Sequence, residues 1–223
     1  EFMIKDLLLN FIKDYKITLT ENQYEQFQKY FELLVEWNEK MNLTAITDES
    51  GVALKHFADS LSLLNFVDIP QNSTLADVGT GAGFPGVVLK IARPDIKLTL
   101  IDSLNKRLVF LGEVCTQLGI EAELIHSRAE DGARDEKLRE SFDFAVSRAV
   151  ARMNVLSEYC LPYVRVGGAF CAMKGAQANE EFKESLNAIN TLGGKLENKY
   201  FFELPENGGE RAIAVVRKVK NTP

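Results

Sequence analysis

Histidine and cysteine are scarce in this chain, with two and three copies among 223 residues, and that scarcity removes several kinds of chemistry. His56 and His126 have neither a CxxC nor an HExxH context, so a metal centre is not expected. Cys115, Cys160 and Cys171 are odd in number, far apart and set among apolar neighbours. They read as buried, reduced thiols, not as a disulfide or zinc framework. Long apolar runs are missing too: "LSLLNFV" at 61–67 falls well short of the ~18–20 residues of a membrane-crossing helix, and no signal-peptide pattern opens the chain. A soluble, cytoplasmic protein is expected, without a membrane partner. Glu1 and Phe2, ahead of Met3, read as a cloning remnant and are set apart from the fold.

A strong positive field is also lacking. The net charge is −6, and it resides in residues 1–74, which hold six basic and twelve acidic side chains. The remainder holds twenty of each, so a nucleic-acid partner would need a local basic face in the second part.

Two textures divide the chain. In the first, Ile4, Leu7, Leu8, Phe11 and Ile12 recur at helical spacing. "TENQ" (Thr20 to Gln23) is a capping box that opens a long helix carrying Tyr24, Phe27, Phe31 and Leu34, and a third helix is expected after "DESG". From about residue 74, short apolar strands alternate with amphipathic helices, the pattern of a parallel sheet covered on both faces. Strands are expected at 74–78, 97–102, 122–126, 142–147, 167–173, 195–204 and 211–218. Helices are expected at 85–92, 105–118, 130–139, 152–160 and 179–192. The last two strands, joined by the glycine turn "ENGG", should pair antiparallel.

The loop after the first strand, "DVGTGAGFPG", holds the chemistry, because ligands of open α/β sheets bind outside the carboxyl ends of the strands. A P-loop is excluded, since no lysine follows the glycines. Gly81, Gly83 and Gly86 satisfy the dinucleotide spacing GxGxxG, and Asp102 ends the next strand where a carboxylate can take ribose hydroxyls. Against a pyrophosphate stand Asp77, which adds negative charge, and Pro85, which removes an amide donor. S-adenosylmethionine, with a sulfonium and no phosphate, suits both residues. A tight turn without ligand and a NAD-type site are the competing readings of the loop.

"DVGTGAGFPG", "IDSLNKR", "SRAED", "VSRAVA" and "MKG", preceded by "NLT" and "HFADSL", together resemble the bacterial 16S ribosomal RNA guanine-N7 methyltransferases, also called the glucose-inhibited division protein B family. The resemblance runs from about Asn42 to Gly175. It implies an α/β class I S-adenosylmethionine-dependent methyltransferase: a Rossmann-like, seven-stranded, mostly parallel sheet with a carboxyl-terminal antiparallel hairpin. Residues 1–70 would be a helical extension and 71–223 the cofactor-binding domain. Cofactor contacts are implied at Gly79, Gly81, Phe84, Ala129, Glu130 and Arg148, with Asp102 on the ribose and Asp77 on the methionine end.

Arg148 and Lys174, at the ends of the fourth and fifth strands, are set down as catalytic, although a strand-end lysine is often only solvated. Glu130 has a second reading as a first-turn complement to the helix dipole. His56 and Asp59, three apart, read as a surface polar pair on a helix bordering the cleft.

The implied reaction is transfer of a methyl group to ring nitrogen 7 of a guanine, whose lone pair needs no base to expose it. No Ser/His/Asp or Cys/His arrangement suggests otherwise. Arg128, Arg152, Arg165, Lys106 and Arg107 are candidates for a phosphate-facing rim, and 16S rRNA within the small ribosomal subunit is the implied partner of a monomeric enzyme. A methyltransferase for another substrate, a NAD-type oxidoreductase and a cofactor-binding protein without turnover remain as alternatives.

Overall fold

The computed structural model describes residues 3–148 and 151–223. Five helical segments come first: α1 (Met3–Phe11), α2 (Glu21–Asn38), α3 (Glu49–Val52), a π-helical stretch (Ala53–Ala58) and α4 (Asp59–Phe66), the last three continuous. The capping box of α2 is present: Gln23 N–H donates to Thr20 Oγ1 at 3.2 Å, and Thr20 N–H donates to Gln23 Oε1 at 2.7 Å. Asp48 caps α3 through Gly51 N–H at 2.9 Å, so this helix starts inside "DESG" and not after it.

The strands are β1 (Thr74–Val78), β2 (Lys97–Asp102), β3 (Glu123–His126), β4 (Phe142–Arg148), β5 (Val164–Lys174), β6 (Gly194–Leu204) and β7 (Gly209–Lys218). Between them lie α5 (Gly86–Ala92), α6 (Asn105–Leu118), α7 (Ala129–Gly132), α8 (Met153–Cys160), a 3₁₀ turn (Leu161–Tyr163), α9 (Ala178–Glu184) and α10 (Leu186–Thr191). The sheet order is β3-β2-β1-β4-β5-β7-β6. The first five strands are parallel; β7 runs antiparallel to both β5 and β6. This puts the carboxyl ends of β1–β5 and the amino end of β7 along one edge.

Two helices differ from expectation. The helix expected over 130–139 ends at Gly132, because Asp135 turns its side chain onto Lys137 N–H at 2.9 Å and starts a separate turn. The helix expected over 179–192 is broken at Ser185, whose hydroxyl donates back to Phe182 O at 2.7 Å. The three cysteines are buried and free.

Alternation along the strands feeds two cores. Leu75, Leu98, Leu100, Val146 and Cys171 face the amino-terminal helices with α5 and α6, whereas Ala76, Val78, Ile101, Phe170 and Ala172 face α8–α10. Helix α2 therefore acts as a cover for one face of the sheet. It is pinned there by Gln23 to Ile91 O (2.9 Å), Gln26 to Leu118 O (2.9 Å) and Tyr30 to Ala82 O (2.5 Å).

Candidate active site

The loop between β1 and α5 is shaped by backbone needs that only glycine meets cheaply. Gly81 has φ +58° with open space where a Cβ would project. Gly83 has φ +103°, and a Cβ there would lie 2.4 Å from Tyr30 Oη. Gly79 and Thr80 donate their N–H groups to Ile101 O at 2.9 and 3.1 Å, which draws the loop onto the end of β2.

Asp77 organises this loop from beneath. Fully buried, it accepts Thr80 Oγ1–H and Gly86 N–H on Oδ2, both at 2.8 Å, while Oδ1 has no partner. Burial pushes its carboxyl up to about 7, opposed by those two hydrogen bonds. Asp102, also buried, ties the end of β2 to the loop by accepting Gly81 N–H at 2.8 Å. Its other oxygen accepts Leu104 N–H at 2.9 Å and faces Arg107 at 3.4 Å. Ala129 and Glu130 open α7 beyond the end of β3; the Ala129 carbonyl accepts from Tyr163 Oη at 2.5 Å, and Glu130 is exposed.

Arg148, the last residue of β4, is the meeting point. Its guanidinium lies over the Phe84 ring at 5.1 Å and donates to Lys55 O (2.9 Å), His56 Nδ1 (2.9 Å) and Asp59 Oδ2 (3.2 Å). The other Asp59 oxygen faces Arg211 Nε at 3.3 Å, at the start of β7. The His56 ring stacks on Phe84 with centroids 4.4 Å apart and 9° between planes. Burial, then the Arg148 charge, lowers the imidazole to about 3, so it is neutral. Burial raises the Asp59 carboxyl above its ordinary value against the pull of the two guanidiniums.

These findings correct the reading of His56 and Asp59 as a surface pair: they are 8% and 6% exposed. The pattern could show that two residues three apart share a face, but not that the helix widens to π geometry here and turns that face inward. Arg211 and Thr44 were missed altogether. "NLT" and "HFADSL", quoted for the resemblance, carried the signal for Thr44, His56 and Asp59; Arg211 had only its place after a glycine turn.

Lys174 reaches the same edge, yet its ammonium is engaged by Glu181 Oε1 at 2.8 Å and by Ala151 O, fastening β5 to α9. Of the rim candidates, Lys106, Arg107, Arg128 and Arg152 lie at helix starts on this edge. Arg165 does not: it starts β5 at the opposite edge and pairs with Asp143 at 2.6 Å. A cavity of about 280 Å³ opens between Lys55, His56, Asp59, Arg148, Lys174 and Arg211. A larger one of about 530 Å³ lies at the opposite edge, where Arg165 and Arg217 are matched by Asp143 and Glu197, and none of Asp77, Asp102, Arg148 and Lys174 lines it.

Comparison with known proteins fixes the family. The model of the rRNA small subunit methyltransferase G family, GidB, matches residues 23–208. The chain belongs to that family. It is 51% identical over 208 residues to ribosomal RNA small subunit methyltransferase G of Exiguobacterium sibiricum, covering 93% of this chain and 87% of that protein. With the enzyme of the same name from Leuconostoc citreum it shares 52% over 224 residues, 99% of this chain and 93% of the other.

Among solved structures, a putative methyltransferase from Bacillus halodurans superposes with a TM-score of 0.58 at 15% identity, over 73% of this chain and 100% of the other. TrmN from Thermus thermophilus does so with 0.56 at 16% identity, over 72% of this chain and 48% of the other. The fold is thus that of the class I S-adenosylmethionine-dependent methyltransferases. The sheet of this chain also differs from the all-parallel dinucleotide fold, since β7 is inserted antiparallel between β5 and β6.

The loop suits the cofactor of this family. The orphan oxygen of Asp77 is a buried acceptor beside the glycines, matched to a cation and not to a phosphate. Among the described residues no cluster of three or more His, Cys, Asp or Glu could hold a metal ion, and no helix is long and apolar enough to cross a membrane.

Proposed function

We propose that this chain transfers the methyl group of S-adenosylmethionine to ring nitrogen 7 of a guanine in 16S rRNA, acting as a monomer on the assembled small subunit in the cytoplasm. That it is an S-adenosylmethionine-dependent small-subunit rRNA methyltransferase follows from its family; the acceptor atom is what the chemistry of the site adds. The cofactor, when bound, supplies an electrophilic methyl group on a sulfonium. Gly79, Gly81, Phe84, Asp102, Ala129, Glu130 and Arg148 line its place, with Asp77 shaping the loop and supplying negative charge for the methionine end.

One observation carries the choice of acceptor: the cavity beside the loop presents donors and no available base. Asp59 has both oxygens engaged by guanidiniums and His56 has both ring nitrogens engaged. An amino or hydroxyl acceptor would need a proton removed, whereas the Hoogsteen edge of guanine offers two acceptors, N7 and O6, to an array of donors. Rate then comes from alignment of nitrogen, methyl carbon and sulfur. Arg148 is the residue placed to contact both cofactor and acceptor, and Lys174 holds the cavity wall.

The test is transfer of labelled methyl groups to small subunits from cells lacking this protein, followed by strand scission at 7-methylguanine. Label confined to one guanine is expected, and label at an exocyclic amine or a ribose hydroxyl would refute the acceptor assignment. Size-exclusion chromatography with light scattering checks the monomer.

A further inference from the structure

His56 and Asp59, like Ile46 and Lys55, reach the cavity from the amino-terminal segment and not from the sheet, and the cofactor loop does not include them. The bonding of His56 fixes its proton without ambiguity. The Arg148 guanidinium can only donate, so His56 Nδ1, 2.9 Å from Nη2, is the bare acceptor. The ring proton is therefore on Nε2, which donates to Thr44 Oγ1 at 2.8 Å. That hydroxyl is itself fixed: it accepts Ile46 N–H at 3.0 Å. Its loop is clamped by Asn38, whose Oδ1 accepts Leu43 N–H (2.7 Å) and Thr44 N–H (3.0 Å) while Nδ2 donates to Thr44 O (3.0 Å). The imidazole cannot swing away either, because it lies flat on Phe84 of the glycine loop.

We propose that His56, its proton held on Nε2 by Thr44, is a positioning residue for methyl transfer: it fixes the plane of the Arg148 guanidinium so that one arginine serves the cofactor loop and the acceptor cavity together. This rests on reading the edge as the methyltransferase site. Asp59 completes the device. By bridging Arg148 and Arg211 it holds the two guanidiniums at one carboxylate, leaving a net positive charge at the cavity floor. The lowered imidazole pKa is in keeping with this, since a charged ring would turn a donor toward Arg148.

Side-chain chemistry separates the two contacts of His56. Asparagine places an amide oxygen where Nδ1 stands and keeps the acceptor for Arg148; glutamine reaches the Nε2 position and keeps only the donor to Thr44. His56→Gln is expected to lower kcat by about 10²-fold, the cost of a misplaced group, with KM for small subunits unchanged, while His56→Asn retains most of kcat. Equal losses in the two variants, or a loss confined to KM, would overturn the proposal.

A second pair guards against misfolding at His56. Thr44→Val should lower kcat and Thr44→Ser restore it, and an unaffected Thr44→Val would count against the relay. With only two histidines in the chain, ring ¹⁵N spectra report the tautomer directly. Protonated Nε2 and bare Nδ1 at pH 7 are expected, and a protonated Nδ1 would also overturn the proposal. Failure of the functional reading looks different: the unaltered protein would transfer no methyl to subunits, whatever tautomer the spectra showed.

Discussion

At pH 7 the carboxyl of Asp77 is close to half-protonated in the free protein, because burial raises its pKa to about 7 from an ordinary 3.8. The folded chain then binds more protons than the unfolded one between those values, so this group's contribution to stability falls as pH rises through that window. A bound cation favours the carboxylate, which reverses the preference. Cofactor affinity is therefore expected to weaken below pH 7 by up to about tenfold per unit, measurable by titration calorimetry from pH 8 to 5.5. Asp77→Asn should remove the pH dependence of stability in that window, seen in Tm measured from pH 5.5 to 8, and bind the cofactor more weakly.

The glycines divide too: Gly81→Ala has room for its Cβ but stays strained at φ +58°, so it should fold with a loss of about 1 kcal/mol and lose cofactor affinity. Gly83→Ala meets Tyr30 and should lose stability, seen as a lowered Tm. Residue spacing made the position of Asp77, the glycine loop and Asp102 in the fold legible, since they lie in or just after a strand signal. It left His56 and Asp59 on the wrong side of their helix, because periodicity reports a shared face and not what covers it.

At the scale of elements, all seven strands were readable from short apolar runs bounded by turn residues, and the antiparallel hairpin from its glycine turn. The helices were less so. The segment after Gly132 and the one around Ser185 keep helical spacing of apolar residues, but Asp135 and Ser185 offer the backbone competing side-chain bonds that a periodic pattern does not register. The role of α2 was also hidden, because a buried stripe does not name its partner. Tyr30 hydrogen-bonds the Ala82 carbonyl inside the glycine loop and stays a neutral donor, since burial raises its phenol well above the usual value. Tyr30→Phe leaves that buried carbonyl without its partner and should destabilise by about 1–3 kcal/mol, checked by denaturant unfolding, and cofactor affinity should fall with it.

For the whole molecule, charge bears on how it meets RNA. The net charge of −6 and the few unpaired basic residues on the site edge predict a shallow salt dependence. Neutralising three or four phosphates gives a slope of log K against log salt of about −2 to −3, measurable by filter binding to small subunits. A slope near −10 would reveal a basic surface that this edge does not have.

The bond between Asp59 and Arg211 has a consequence for how the enzyme is made. It joins the helical segment to the last strand of the sheet, across most of the chain. Because a chain leaves the ribosome amino end first and folds as it emerges, the cofactor loop is released long before the strand that completes the cavity. Because β7 stands between β5 and β6, the sheet that backs loop and cavity alike is incomplete until β7, with Arg211, has emerged. A message that ends before that codon yields a protein unable to modify the particle that made it.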